Sequence, residues 1–298
     1  MLPQNVNKGE ASGKSGFAVL VGRSNVGKST LLNALVGTKI AITSPKPQTT
    51  RVQVHGIVHD PRGQIVFVDT PGIFEKPIDR LTKSLNQQAK SALHGIDIVV
   101  YVVDPTRAIG NEEHIILRLL EAAKAPKLLV LNKIDLRDLP FASEYEALAD
   151  RFDAMLRISG LHHKNLKPLL DAVFERLPEG RPFYPEFQYT NLEHKQWVSE
   201  LIREKLFIQL PAELPYGTAV ELDEMEEKTD KAGAPMLYVK ARILTATERH
   251  KSMIIGAGAR KIKEIGSAAR RELEAVLQKK VFLDLTVEVD EHWMDRVS

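Results

Sequence analysis

The sequence contains no cysteine. That excludes disulfides, thiolate metal sites and cysteine-based redox or nucleophilic chemistry, and it agrees with a reducing compartment. Long apolar runs are absent as well. The longest, Ile98 to Val103, falls far short of the roughly 20 residues that a membrane-spanning helix needs. Neither sign of charge is in excess: 41 lysines and arginines face 39 acidic residues, for a formal net charge of +2, so any basic surface must be local. Met1 to Ser15 is polar, glycine-containing and aperiodic, without the apolar segment of a secretory signal or the arginines of a typical transit peptide. Residues 1–16 therefore read as a disordered tail. His162-His163 has no cluster of partners and does not predict a metal site. What remains is an ordinary composition, 43% hydrophobic and 27% charged, on a chain of 298 residues, long enough for two domains.

The most specific stretch is Gly22-Arg-Ser-Asn-Val-Gly-Lys-Ser29, followed by Thr30. It matches the phosphate-loop pattern G-x-x-x-x-G-K-[ST] and lies between an apolar run, Phe17–Val21, and a helical stretch. Gly22 and Gly27 allow the backbone to curl, so that the N–H groups of Arg23, Ser24, Asn25 and Val26 converge on an anion. The helix start adds its positive dipole end. Lys28 supplies a point charge for phosphates, and Ser29 a hydroxyl for Mg²⁺.

From Phe17 to about Leu177, apolar strands alternate with helical stretches. Strands are predicted at 17–21, 53–59, 64–69, 97–104, 127–132 and 155–159, and helices from near Ser29, Ile78, Glu112, Ser143 and Leu166. This is the pattern of an α/β domain with a mostly parallel sheet, 53–59 and 64–69 forming a hairpin. Near Pro178 the pattern breaks into a proline-rich and glycine-rich stretch, read as a linker over 179–190. Residues 191–298 then run helix, strand, strand, helix, helix, strand, an α+β domain.

Two further stretches end apolar strands of the first domain (17–178). Asp69-Thr70-Pro71-Gly72 places a carboxylate near a hydrated Mg²⁺ and the Gly72 N–H near a γ-phosphate. In Asn132-Lys-Ile-Asp135, Asp135 accepts from the N1–H and 2-amino groups of guanine, Lys133 covers the base, and Asn132 ties it to the phosphate loop. Adenine offers neither donor and would leave the carboxylate unpaired.

These three stretches, in this order, resemble the guanine-nucleotide domain of the translation-factor-related GTPases. The resemblance implies GTP as substrate, GDP as product and Mg²⁺ as cofactor. It assigns a fourth stretch, Ser159-Gly160-Leu161, where Gly160 replaces the usual alanine and its N–H faces guanine O6. In Thr43-Ser-Pro-Lys-Pro-Gln-Thr-Thr-Arg51 it assigns Thr50 to the Mg²⁺ shell, with Thr49 as the alternative. Position 73 is isoleucine, where some relatives carry a water-orienting glutamine. Asn25 is similar to the asparagine that accompanies activation by K⁺ in the branch without that glutamine; equally, it reads as a loop residue bonding its own backbone. Lys28, Thr50, Gly72 and Asn25 are thus the catalytic candidates.

In the second domain, Gly256-Ala257-Gly258-Ala259, followed by Arg260, Lys261 and Lys263, resembles the G-x-x-G loop of the KH module, which clamps single-stranded RNA backbone. Its last glycine is alanine here, whose Cβ stands in the way of close phosphate approach. Nearly the whole chain after residue 16 is similar to the Era-type GTPases. That implies a GTP-hydrolysing switch that binds small-subunit ribosomal RNA at its 3′ end and assists assembly of the small ribosomal subunit. It also implies a cytoplasmic monomer with peripheral association on the inner face of the cell membrane. Two alternatives stand beside it: a GTP-gated RNA-binding module with little turnover, and a large-subunit assembly GTPase with a similar phosphate loop.

Overall fold

The computed structural model describes residues 13–47, 49–72, 80–211, 213–230 and 232–293. Ile73, at the position of the missing glutamine, lies outside them. The first unit comprises β1 (Lys14–Val21), α1 (Lys28–Val36), β2 (Val54–Asp60), β3 (Gly63–Asp69), α2 (Arg80–Ser91), β4 (Ile98–Val103), α3 (Asn111–Glu121), β5 (Lys127–Leu131), α4 (Ala142–Glu146), β6 (Ala154–Arg157) and α5 (Leu166–Arg176). Its six strands run in the order β2-β3-β1-β4-β5-β6, parallel except for the β2–β3 hairpin.

Alternation along the central strands divides the core in two, because successive side chains point to opposite faces. Ala18, Leu20, Val100, Val102, Leu128 and Val130 meet α1 and α5 on one face. Val19, Val21, Val99, Tyr101, Leu129 and Leu131 meet α3 and Tyr145 of α4 on the other. Each fully buried side chain of this size contributes about 1.5–3 kcal/mol of transfer free energy. The two layers hold the carboxyl ends of β1, β3, β4 and β5 along one edge, where all the nucleotide motifs lie.

Two features differ from the sequence expectation. β1 begins at Lys14, because the polar backbone of Lys14, Ser15 and Gly16 pairs with Gly63, Gln64 and Ile65 of β3. Pairing of this kind needs no apolar side chain, so hydrophobic periodicity is blind to it. The stretch after Pro178 is also no free tether. Tyr189 O accepts from Ile57 N at 3.0 Å, and the Gln64 side chain bonds Phe183 N, Tyr184 N and Tyr184 O. It straps the outer edge of the sheet at β2.

The second unit contains α6 (His194–Gln209), a short 3₁₀ turn, β7 (Thr218–Thr229), β8 (Pro235–Thr245), α7 (Glu248–Ile255), α8 (Arg260–Leu277) and β9 (Lys280–Val289). β8 is central, antiparallel to β7 and parallel to β9. Val198, Leu201 and Ile202 of α6 and Ala269 and Leu273 of α8 cover one face of this sheet. The segment after α1 runs between the units. There Lys39 pairs with Glu204 at 2.7 Å and with Glu272, and Trp197 Nε1 donates to Lys39 O at 3.0 Å.

Candidate functional site

The phosphate loop is built by close approach. A Cβ on Gly22 would stand 2.3 Å from Val102 O, and one on Gly27, where φ is +95°, would stand 2.5 Å from Asn132 Nδ2. Only glycine fits either place. The Arg23 side chain turns out of the loop to Glu112 at 3.1 Å and Glu113 at 2.9 Å, fastening it to α3. Lys28 is buried, its ammonium donating to Gly22 O at 2.8 Å and Arg23 O at 2.9 Å. Burial pulls its pKa down to about 8, against the opposing charge of Asp69.

Ser29 Oγ donates to Asp69 Oδ2 at 2.6 Å and lies 3.1 Å from Thr50 Oγ1. Burial raises the pKa of Asp69, while Lys28 and Ser29 lower it. Its Oδ1 is buried without a hydrogen-bond partner among the described residues. Two hydroxyls and an orphaned carboxylate oxygen make a donor set that fits a hydrated divalent cation. Thr49, the alternative to Thr50, is spent elsewhere: its Oγ1 bonds Ser44 Oγ at 2.7 Å and Lys46 O at 2.8 Å. Thr70 Oγ1 donates to Leu20 O at 2.9 Å, and so ties β3 to β1 rather than facing the cleft. Pro71 is buried. Gly72 lies against the phosphate loop, where a Cβ would stand 2.8 Å from Ser24 Cα. Thr30 is half-buried in α1.

The residues expected to read the base converge on the same edge. Asn132 Nδ2 donates to Val26 O at 2.9 Å. Ser159 Oγ donates to Asp135 Oδ1 at 2.5 Å. The Gly160 N–H has a partner within the protein. It donates to Asn132 Oδ1 at 3.0 Å, since a buried N–H takes the acceptor beside it. A Cβ at Gly160 would stand 3.1 Å from Leu31 Cα, a tight contact. Leu161 is exposed. Lys133, at φ +64°, donates to Asn25 O at 2.9 Å and to Asp104. Asp104 is a residue the sequence reading missed. Its carboxylate, held below the usual range by Lys133 and Thr106 despite burial, pairs with Lys133 and fixes where that ammonium points. The signal was present: an aspartate directly after the apolar run of β4, as Asp69 ends β3.

In the second unit, Gly256, Gly258 and Ala259 have φ of +73°, +58° and +60°. Gly256 is required twice over, since a Cβ there would stand 2.8 Å from Lys261 Cβ. Ala259 adopts a left-handed conformation that an L side chain disfavours. Ala259→Gly is therefore expected to raise stability by roughly 0.5–1 kcal/mol, read as a later denaturant midpoint for the second unit. A lower midpoint would show that the methyl group packs usefully. Ala257 is exposed. Arg260 and Lys261 both pair with Glu264 at 2.9 Å, whereas exposed Lys263 has no ion pair among the described residues.

A family model described as a 50S ribosome-binding GTPase matches residues 17–133, and a KH domain model matches residues 213–294. GTPase Era of Halothermothrix orenii is 40% identical over 285 residues, covering 95% of each chain. The chain belongs to the Era GTPase family. The Era of Carboxydothermus hydrogenoformans is likewise 40% identical, over 289 residues and 95% of each chain. Among solved structures, Era in complex with MgGDPNP and nucleotides 1506–1542 of 16S ribosomal RNA is 37% identical with a TM-score of 0.87, covering 95% of this chain and 96% of that one. A variant of Aquifex aeolicus Era bound to GDP and AlF₄⁻ is 36% identical with a TM-score of 0.86 and the same coverage. As an Era GTPase the chain hydrolyses GTP, and its fold is that expected from the sequence: a phosphate-loop domain followed by a KH domain. No helix among the described residues is long and apolar enough to cross a membrane.

Proposed function

We propose that this chain is a GTP-hydrolysing switch that binds small-subunit ribosomal RNA through its KH unit and assists assembly of the small ribosomal subunit. The observation that carries the reading is the union, in one chain, of a phosphate loop, a guanine-reading carboxylate and a KH loop flanked by lysines. The KH unit argues against a large-subunit role. Lys28 and the loop N–H groups bind the phosphates and stabilise charge that develops there. Ser29 and Thr50 would hold Mg²⁺, with Asp69 in support; when bound, the ion neutralises phosphate charge. Asn132, Asp135 and Lys133 orient the base. Isoleucine at position 73, directly after Asp69-Thr-Pro-Gly72, offers no side-chain group to orient the attacking water. Peripheral membrane association and a monomeric state rest on family resemblance alone.

The RNA half is tested by measuring affinity for the 3′-terminal segment of 16S ribosomal RNA across a salt series, with a non-hydrolysable GTP analogue and with GDP. Lys263→Ala is expected to flatten the salt slope by about one unit. Lys261→Ala should do less, because Glu264 already neutralises part of that charge. Absence of RNA binding in every state would end this reading. K⁺ belongs to the same proposal: Asn25 Nδ2 donates to Pro45 O at 2.7 Å, and among the described residues its Oδ1 accepts only a long bond, 3.5 Å, from Ser24 Oγ of the phosphate loop. K⁺ should accelerate hydrolysis several-fold over Na⁺ at equal ionic strength, and equal rates would return Asn25 to a loop-bracing role.

A further inference from the structure

We propose that Arg203, on α6 of the KH unit, is a positioning residue of the GTPase centre, holding Thr50 in register with Ser29 and Asp69 through the backbone on either side of it. The inference rests on Thr50 as the Mg²⁺ ligand. Arg203 Nη2 donates to Thr49 O at 2.6 Å. Its guanidinium is aimed by Glu200, one turn back on the helix, which takes Nε at 2.9 Å and Nη2 at 2.5 Å. The Arg203 side chain is only 4% exposed. A charge-assisted bond so shielded from water competes poorly with solvent and holds its geometry.

The other neighbour of Thr50 is anchored in the same place. Arg51 reaches into the KH unit, donating to Thr218 O and Tyr216 O, each at 2.9 Å. The ring of Phe207 lies 5.7 Å from the Arg51 guanidinium and 5.3 Å from that of Arg203, so one buried aromatic side chain of α6 serves both. Earlier in the segment, Lys46 donates to Leu210 O and Thr43 N to Glu204 Oε2 at 3.4 Å. Thr50 is thus suspended between two residues fixed by the KH unit, and its hydroxyl falls 3.1 Å from Ser29 Oγ. The first unit supplies the hydroxyl, but the second decides where it stands.

The consequence is specific to the triphosphate. The ordering of such a segment is needed where a γ-phosphate and its Mg²⁺ are held, and is released with the diphosphate. A pre-placed Thr50 removes that ordering cost from GTP binding and from the transition state. Without the Arg203 bond the segment must be ordered at each turnover, whereas GDP, which does not call on Thr50, binds as before.

The test uses the full-length chain as Arg203→Ala, Arg203→Lys, Thr50→Ala and the Thr50→Ala/Arg203→Ala double variant. The readouts are turnover, the Kd of GDP and of a non-hydrolysable GTP analogue in Mg²⁺, the denaturation midpoint, and amide exchange at residues 50 and 51 without nucleotide. Arg203→Ala should lower turnover about tenfold to a hundredfold, reduce analogue affinity relative to GDP, leave the GDP Kd within about twofold, and speed exchange at residues 50 and 51. Arg203→Lys, which keeps a donor but not the fork that Glu200 aims, should fall between and controls for misfolding. In the Thr50→Ala background the Arg203 change should cost nothing further, because both act on one hydroxyl. Additive losses would overturn the proposal, as would equal weakening of GDP and analogue. If Thr50→Ala itself leaves the analogue-to-GDP ratio unchanged, the Mg²⁺ reading of Thr50 fails first and the positioning role fails with it.

Discussion

Lys28→Ala is expected to reduce GTP affinity by about 2–5 kcal/mol, roughly thirtyfold to several thousandfold, and to remove measurable turnover. The ammonium stands at the inner end of the phosphate loop, bridging Gly22 O and Arg23 O. Truncation leaves both carbonyls without their donor and the phosphates without their buried cation. The sheet core does not involve this side chain, so the fold should persist, read as an unchanged circular dichroism spectrum. Calorimetric titration with GTP decides the matter; wild-type affinity and turnover would remove Lys28 from the site. A pH signature accompanies it. In the empty protein Lys28 is charged below a pKa of about 8 and neutral above it. Phosphates favour the charged form, so binding above pH 8 takes up a proton, and affinity should fall as pH rises through that value. The sign for folding is opposite. An unfolded lysine keeps its proton to its ordinary pKa of 10.5, so this group makes the empty protein more stable as pH rises from 8 toward 10.5. Lys28→Ala should lose both slopes.

Asp135→Asn should invert base preference. The carboxylate is held by Ser159 Oγ at 2.5 Å, with His162 Nε2 at 3.6 Å from the other oxygen. An amide in this place can still accept from one guanine donor, but it presents its own N–H₂ to the other. GTP should weaken by about 2–4 kcal/mol. Xanthosine triphosphate, with a carbonyl where guanine has its 2-amino group, should then bind better than GTP. Dissociation constants for the two nucleotides, measured on both proteins, give the answer. An unchanged preference would mean that Asp135 does not read the base.

The sequence by itself determined the chemistry of the nucleotide site, because each motif is local. Gly22 to Ser29 carries its own glycines, cation and hydroxyl within one turn. Asp69 announces itself as the polar residue ending β3, and Asp135 as part of the polar turn that follows β5. Helices and strands were legible for the same reason: the unbroken apolar runs of β4 and β5 and the helical spacing of Leu201, Ile202 and Leu206 are set by near neighbours. The KH loop was legible from Gly256 onward, and the left-handed Ala259 marks where its sequence departs from the motif.

Only the tertiary structure decided matters that depend on residues far apart in the chain. Asp104 aims Lys133 across two strands. Asn132, 28 residues earlier, receives the Gly160 N–H. β1 starts at Lys14 because distant β3 offers backbone partners, and the strap after Pro178 is held by Gln64. Above all, the resemblance prefers Thr50 to Thr49, but the two residues themselves give no physical reason for it. What separates them is where the chain is gripped: Arg203 takes the Thr49 carbonyl, Arg51 is buried between Phe207 and Trp293 at 5.7 and 5.8 Å, and the hydroxyl left facing Ser29 is that of Thr50. Such a choice is made by packing between two units, and no local pattern carries it.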